Sequence, residues 1–115
     1  MNRYCLALDL RDDPEAIRLY DAYHANVWPE IKASIYDAGI ADMEIYRTAN
    51  RLFMIIEALP GFSFEAKATA DAANPRVQEW ERLMEQFQQA LPWAKPGEKW
   101  VVMEKVFKLG KNTAV

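Results

Sequence analysis

Apolar and polar positions divide the chain into short segments of distinct period. "RYCLALDL" (3–10) is apolar, β-rich and short, and a charged break follows it, so the pattern predicts a first strand. Beyond the break, Ile17, Tyr20, His24 and Val27 recur at spacings of three, four and three, which is one face of a helix. Asp13 can cap that helix, Pro14 suits its first turn, and Glu15 meets the positive end of its dipole. Pro29 ends or kinks it, and "PEIKASIYDAG" reads as a second helical piece stopped by Gly39. "ADMEIYR" then alternates, with Met43 and Ile45 on one face and Asp42, Glu44 and Tyr46 on the other. "TANR" is a turn and "RLFMIIEAL" a long apolar strand, so the two strands form an antiparallel hairpin. "SFEAKATADA" predicts a helix that breaks at Asn74–Pro75, where a new cap opens another carrying Val77, Trp80, Met84 and Phe87. After the loop "LPWAKPGEKW", the segment "WVVMEKVFKL" closes the pattern as a strand.

The order is therefore strand, broken helix, strand, strand, broken helix, strand. That is the split order of an α+β ferredoxin-like sandwich, one antiparallel sheet with helices on one face. With 115 residues the chain has room for a single core, expected over 1–109, with "GKNTAV" (110–115) as a disordered tail. One face of the second strand and both faces of "LFMII" are too apolar for open solvent. The expected remedy is a homodimer whose sheets face each other, the dimeric α/β-barrel type, with a small-molecule cavity inside each subunit.

Charge and composition then narrow the chemistry. Net charge is −3, and no Lys/Arg cluster interleaves with aromatics, which argues against nucleic acid. A single cysteine, Cys5, rules out an internal disulfide and fits a reducing, cytoplasmic setting. The N-terminal stretch lacks a signal peptide's apolar core, and no apolar run has the length of a membrane span, so no membrane association is expected. A lone His and a lone Cys cannot close a zinc site, and no EF-hand spacing, Gly-rich phosphate loop or G-x-S-x-G elbow is present. No metal or cofactor is expected.

Candidate chemistry centres on His24, the one histidine. Near a helix C-terminus an imidazolium can simply complement the dipole; alternatively, a group titrating near neutrality can both give and take a proton. Tyr20 lies four residues earlier on the same face and Trp28 just beyond the helix end. Tyr20 and Tyr46 are candidate hydrogen-bonding walls or amphipathic core residues, and Trp80 sits on an apolar stripe. Trp93 and Trp100 flank the Pro/Gly loop, where they could stack on a sugar or cover a dimer partner. Asp42, Glu44 and Glu57 alternate outward from strands and read as solvated rather than as a glycosidase pair.

The run of a tyrosine, three residues, a histidine and then W-P-E, here Tyr20, His24 and "VWPEI", resembles the L-rhamnose mutarotase family. The Gly39 turn, Ile45–Tyr46, "RLFMIIE", Trp80 with Met84, and "EKVFKL" follow in the same order, so the resemblance covers nearly the whole chain. It implies a dimeric ferredoxin-like aldose mutarotase that interconverts the α and β anomers of a 6-deoxyhexose. His24 would be the proton donor and Tyr20 and Trp80 would contact sugar, with Trp28, Met43 and Tyr46 completing the expected substrate set. No cofactor is implied, because only protons move. The chain also departs from the pattern. Met43 stands where the rhamnose enzymes have a sugar-contacting tyrosine, and Glu81 replaces the second member of a tryptophan pair. "DMEIYR" and "PWAKPGEKW" are similar to a branch described as L-fucose mutarotases, so the sugar is left open between L-fucose and L-rhamnose. The rival readings are a haem-degrading or quinone-forming monooxygenase of the dimeric α+β barrel class, and a non-catalytic small-molecule-binding dimer module.

Overall fold

In the computed structural model, which describes residues 1–110, strand β1 (Asn2–Leu10) lies at the centre of the molecule. Its run from Leu6 to Leu10 is buried throughout, the signature of an inner strand. On one side β1 pairs antiparallel with β3 (Arg51–Ala58), placing Leu8 opposite Leu52 and Leu6 opposite Met54. The outer neighbour of β3 is β2 (Ile40–Thr48), also antiparallel, with Ile45 opposite Met54 and Tyr46 opposite Phe53. On its other side β1 meets two short strands, β4 (Gln88–Gln89) and β5 (Val101–Val102). The sheet order β2-β3-β1-β4, with β5 also beside β1, is the ferredoxin-like arrangement predicted. Among the described residues the sheet is open and does not close into a barrel.

Four helices form the second layer. Helix α1 (Pro14–Ala25) starts where expected, with the Asp13 carboxylate accepting from the Glu15 N–H at 3.2 Å. A second helix, α2 (Pro29–Asp37), ends at Gly39, whose φ of 95° is a left-handed conformation that side chains resist. Helix α3 (Phe64–Ala72) is capped by Ser63. In α4 (Pro75–Glu85) the Asn74 side chain accepts from the N–H groups of Arg76 and Val77. The stripes read from the sequence face the sheet: Tyr20, Val77, Trp80, Met84 and Phe87 pack on Leu10 and Leu52, and Ile31 of α2 joins them. A second apolar group, Leu6, Ile40, Met54, Ile56 and Ala58, lies further along the same sheet face.

The closing strand differs from expectation. Only Val101–Val102 pairs, followed by one further bond from the Met103 N–H to the Cys5 carbonyl at 2.7 Å. Residues 104–109 run unpaired, with Val106, Phe107 and Leu109 largely exposed. Alternation in "WVVMEKVFKL" measures only the fitness of a segment for a sheet; pairing also needs an adjacent strand edge. The short strand β4 carries no pattern of its own and was not predicted. The tail expected over 110–115 lies, beyond Gly110, outside the described residues.

Candidate active site

Between the helices and the sheet lies an open cavity of about 810 Å³, within the usual range for small-molecule sites. Its floor is sheet, with Leu6, Met54, Ile56, Met43 and Ile45 contributing hydrocarbon. Its walls are helical: α1 supplies Tyr20 and His24, and α4 supplies Trp80 and Glu81.

His24 occupies the last turn of α1. Its Nδ1–H donates to the Tyr20 carbonyl at 2.9 Å, because a carbonyl oxygen can only accept. The proton of the neutral ring therefore sits on Nδ1, and Nε2 keeps a lone pair for a ligand. The ring stacks on Tyr20, centroids 4.1 Å apart, and meets the Trp80 indole nearly edge-on at 5.5 Å. Burial lowers the His24 pKa below the ordinary imidazole value; the bond to the Tyr20 carbonyl and the nearby Asp21 charge oppose that shift without cancelling it. The imidazole is accordingly neutral at pH 7, a base rather than a resident acid. Tyr20, only 3% exposed, has its phenol pushed far above its usual range, chiefly by burial, so its hydroxyl stays protonated.

Asp21 faces away from the cavity and holds Arg47 of β2 in a two-pronged ion pair at 3.0 and 2.6 Å. Arg47 also donates to the Ala49 carbonyl. This clamp ties the helix turn carrying His24 to the β2–β3 hairpin.

The structure brings His24, Tyr20, Met43 and Trp80 together around the cavity. Trp28 is not on its wall. It packs edge-on with Trp80, ring centroids 5.0 Å apart, and the Arg76 guanidinium lies 3.8 Å from its ring centroid. Tyr46 is also excluded. Strand alternation turns it to the opposite face of the sheet beside Phe53, 55% exposed, so neither Trp28 nor Tyr46 is among the residues that line this cavity. The loop tryptophans divide: Trp100 lines the cavity, whereas Trp93 is exposed and lies against the Arg51 guanidinium. Asp42, read as solvated, is exposed and borders the cavity, although its cross-strand partner is Glu57 on the other face. Sequence reasoning missed Lys67 and Asp71 of α3, whose helix has no apolar stripe to announce a buried face. Among the described residues, no group of three His, Cys, Asp or Glu side chains could hold a metal ion.

Known proteins resemble the chain in sequence and in fold. The chain is 44% identical to an L-fucose mutarotase of Xanthomonas campestris, an alignment covering all of this chain and 94% of that protein. In structure it is similar to an L-rhamnose mutarotase from Formosa agariphila (TM-score 0.70, 21% identity, 96% of this chain and all of that one). It is also similar to the tetracenomycin F2 cyclase of Streptomyces glaucescens (TM-score 0.60, 17% identity, 97% of this chain and all of that one). A fold shared with a polyketide cyclase does not choose the chemistry. The family model described as L-rhamnose mutarotase matches residues 3–109, and the chain belongs to that family.

Proposed function

We propose that the protein interconverts the α and β anomers of a 6-deoxyhexose, L-fucose or L-rhamnose, with His24 as its acid–base group. The observation that carries this reading is the bond from Nδ1–H to the Tyr20 carbonyl in a residue that lines a sugar-sized cavity, which leaves Nε2 as the nitrogen with a free lone pair. Nε2 takes the proton of the anomeric hydroxyl as the bond between the ring oxygen and the anomeric carbon breaks. The ring oxygen leaves with that electron pair and takes a proton from water or a cavity donor, giving the open aldehyde. Rotation about the adjacent carbon–carbon bond presents the other carbonyl face. The chain hydroxyl then attacks and loses its proton, while the imidazolium returns a proton to the new anomeric oxygen. The Nδ1–H bond persists in both protonation states, so the ring need not move.

Trp80, Met43 and the Tyr20 ring supply apolar walls for the C–H surfaces of the sugar and for its methyl group. Trp28 supports Trp80 by packing edge-on with it. A correctly positioned acid–base group contributes about 10²–10⁴-fold, enough for a reaction that already proceeds in water. The test is saturation-transfer NMR on the anomeric protons of both sugars, with the wild type and His24→Ala. Faster exchange in the wild type, lost in a folded His24→Ala, is the expected result; unchanged exchange with wild type and variant alike refutes it.

The protein works as a homodimer. Support comes from the sheet face away from the helices, where Tyr46, Phe53 and Ala7 form one cross-strand row and Ile55 and Cys5 another. Such a row suits a second copy better than water, and Val106 and Phe107 add further exposed apolar surface to the chain. A cytoplasmic setting fits the single unpaired Cys5, and no helix among the described residues is long and apolar enough to cross a membrane.

A further inference from the structure

We infer that Lys67 and Asp71, with Glu81 beside them, form the wall of the cavity that reads sugar configuration, selecting a cis pair of hydroxyls remote from the anomeric carbon; the inference rests on the mutarotase reading above. Lys67 and Asp71 are one turn apart on α3 and joined as an ion pair. Ordinary pairs of this spacing lie on solvated surfaces and contribute little. These side chains are only 23% and 13% exposed, and both line the cavity. Helix α3 itself has no buried residue, so packing of the helix does not account for the placement. Removing an ion pair from water is not a stabilising device in itself, and a ligand supplies the missing reason.

The pair is arranged to bind more. Among the described residues the Lys67 ammonium donates only to Asp71 Oδ2, which leaves two N–H groups unused, and Asp71 Oδ1 accepts from no one. A free donor beside a free acceptor matches two neighbouring hydroxyls, one accepting from the ammonium while the other donates to the carboxylate. Gln78 secures the arrangement: its Nε2 donates to the Asp71 carbonyl at 3.0 Å and to Glu81 Oε1 at 3.3 Å. Glu81 follows Trp80, whose indole touches the His24 ring. Contacts thus run from His24 through Trp80, Glu81 and Gln78 to Asp71. A pyranose with its anomeric carbon at Nε2, lying along Trp80, presents its third and fourth hydroxyls to α3.

Those two hydroxyls are cis in L-fucose and trans in L-rhamnose, whose cis pair is at the second and third carbons. The two oxygens are equally close in both sugars, so direction discriminates. The fourth hydroxyl is axial in L-fucose and rises from the ring face, whereas in L-rhamnose it is equatorial and points outward in the ring plane. A wall set to meet the axial hydroxyl favours L-fucose. Polar groups left unpaired by the wrong epimer are a strong source of discrimination in a closed site. In an open cavity the effect is smaller, on the order of 10–100-fold.

The decisive experiment measures anomer exchange with L-fucose, L-galactose (the same ring configuration with a hydroxymethyl group) and L-rhamnose, using the wild type, Lys67→Met, Asp71→Asn and Lys67→Arg. The expected wild type prefers L-fucose and L-galactose. Lys67→Met and Asp71→Asn each lose about 10–100-fold in kcat/KM on those two sugars and less than about 3-fold on L-rhamnose, with Lys67→Arg retaining part of the preference. Equal losses on all three sugars, an unmoved ratio, or a wild-type preference for L-rhamnose overturns the assignment while leaving the mutarotase intact. A wild type that accelerates none of the sugars removes the mutarotase reading and this inference with it.

Discussion

The carbonyl of Tyr20 accepts a hydrogen bond from the ring nitrogen of His24 one turn later on the same helix, at 2.9 Å. One backbone oxygen thereby sets the tautomer of the only histidine in the chain and orients its reactive nitrogen. The resemblance suggested a proton donor; burial makes the resting imidazole an acceptor that becomes a donor only after the first proton transfer.

That order fixes the pH dependence. A base must be unprotonated, so kcat/KM should be flat at neutral pH and fall on the acid side, through a pKa below the ordinary 6.5 of imidazole. Saturation-transfer rates across the acid range check it; activity that rises on acidification contradicts the assignment.

Asp21 offers a finer test, since its charge partly offsets the lowering of the His24 pKa. Asp21→Asn removes a carboxylate that favours imidazolium, so the acid limb should move to still lower pH while the neutral plateau changes little. An NMR titration of the His24 ring follows the same shift directly, and movement toward higher pH would exclude the electrostatic account.

Trp28→Ala should act through Trp80. The variant removes the support beside the Trp80 indole without touching the cavity wall, so KM should rise several-fold with a smaller change in kcat. Trp28 is half-buried, so the expected stability loss is about 1–3 kcal/mol, less than for a fully buried tryptophan. Chemical denaturation separates the two effects, and an unchanged KM would show that Trp80 holds its place alone.

Asp9 is buried on the sheet face away from the helices, and its carboxylate is held by Arg51 through bonds of 2.7 and 3.1 Å. Arg51→Leu should lower stability, because the buried Asp9 carboxylate is left without its partner. Replacing both residues by leucine should recover part of that loss in urea unfolding. A double variant no more stable than Arg51→Leu alone would contradict that recovery.

The proposed subunit contact is open to a simple disruption. Phe53→Glu together with Ile55→Lys places charge on the apolar rows of the free sheet face, and sedimentation should then report a monomer where the wild type is a dimer. A wild type already monomeric under the same conditions rules the contact out.

Much of the scaffold was readable because its signals are local. Asp13–Pro14 and Asn74–Pro75 are cap-and-start pairs, and each opens a helix within a residue of its expected place. The three-and-four spacing of Tyr20 and His24, and of Val77, Trp80 and Met84, identified the faces that meet the sheet and the cavity. Alternation also decided the face of Tyr46, since Met43 and Ile45 were already assigned to the apolar face; reading it as a hydrogen-bonding wall went against that parity, and the strand places it on the opposite face.

Periodicity thus determined the helices, the hairpin, the strand order class and the turn that carries His24, because each depends on neighbours within a few residues. Which side of Trp80 meets a ligand and which meets Trp28, whether the last apolar segment finds an edge to pair with, and that a lysine and an aspartate on an unremarkable helix line a cavity were decided by tertiary packing. Those outcomes depend on what another element, far away in the chain, places opposite each residue, and no local pattern records that.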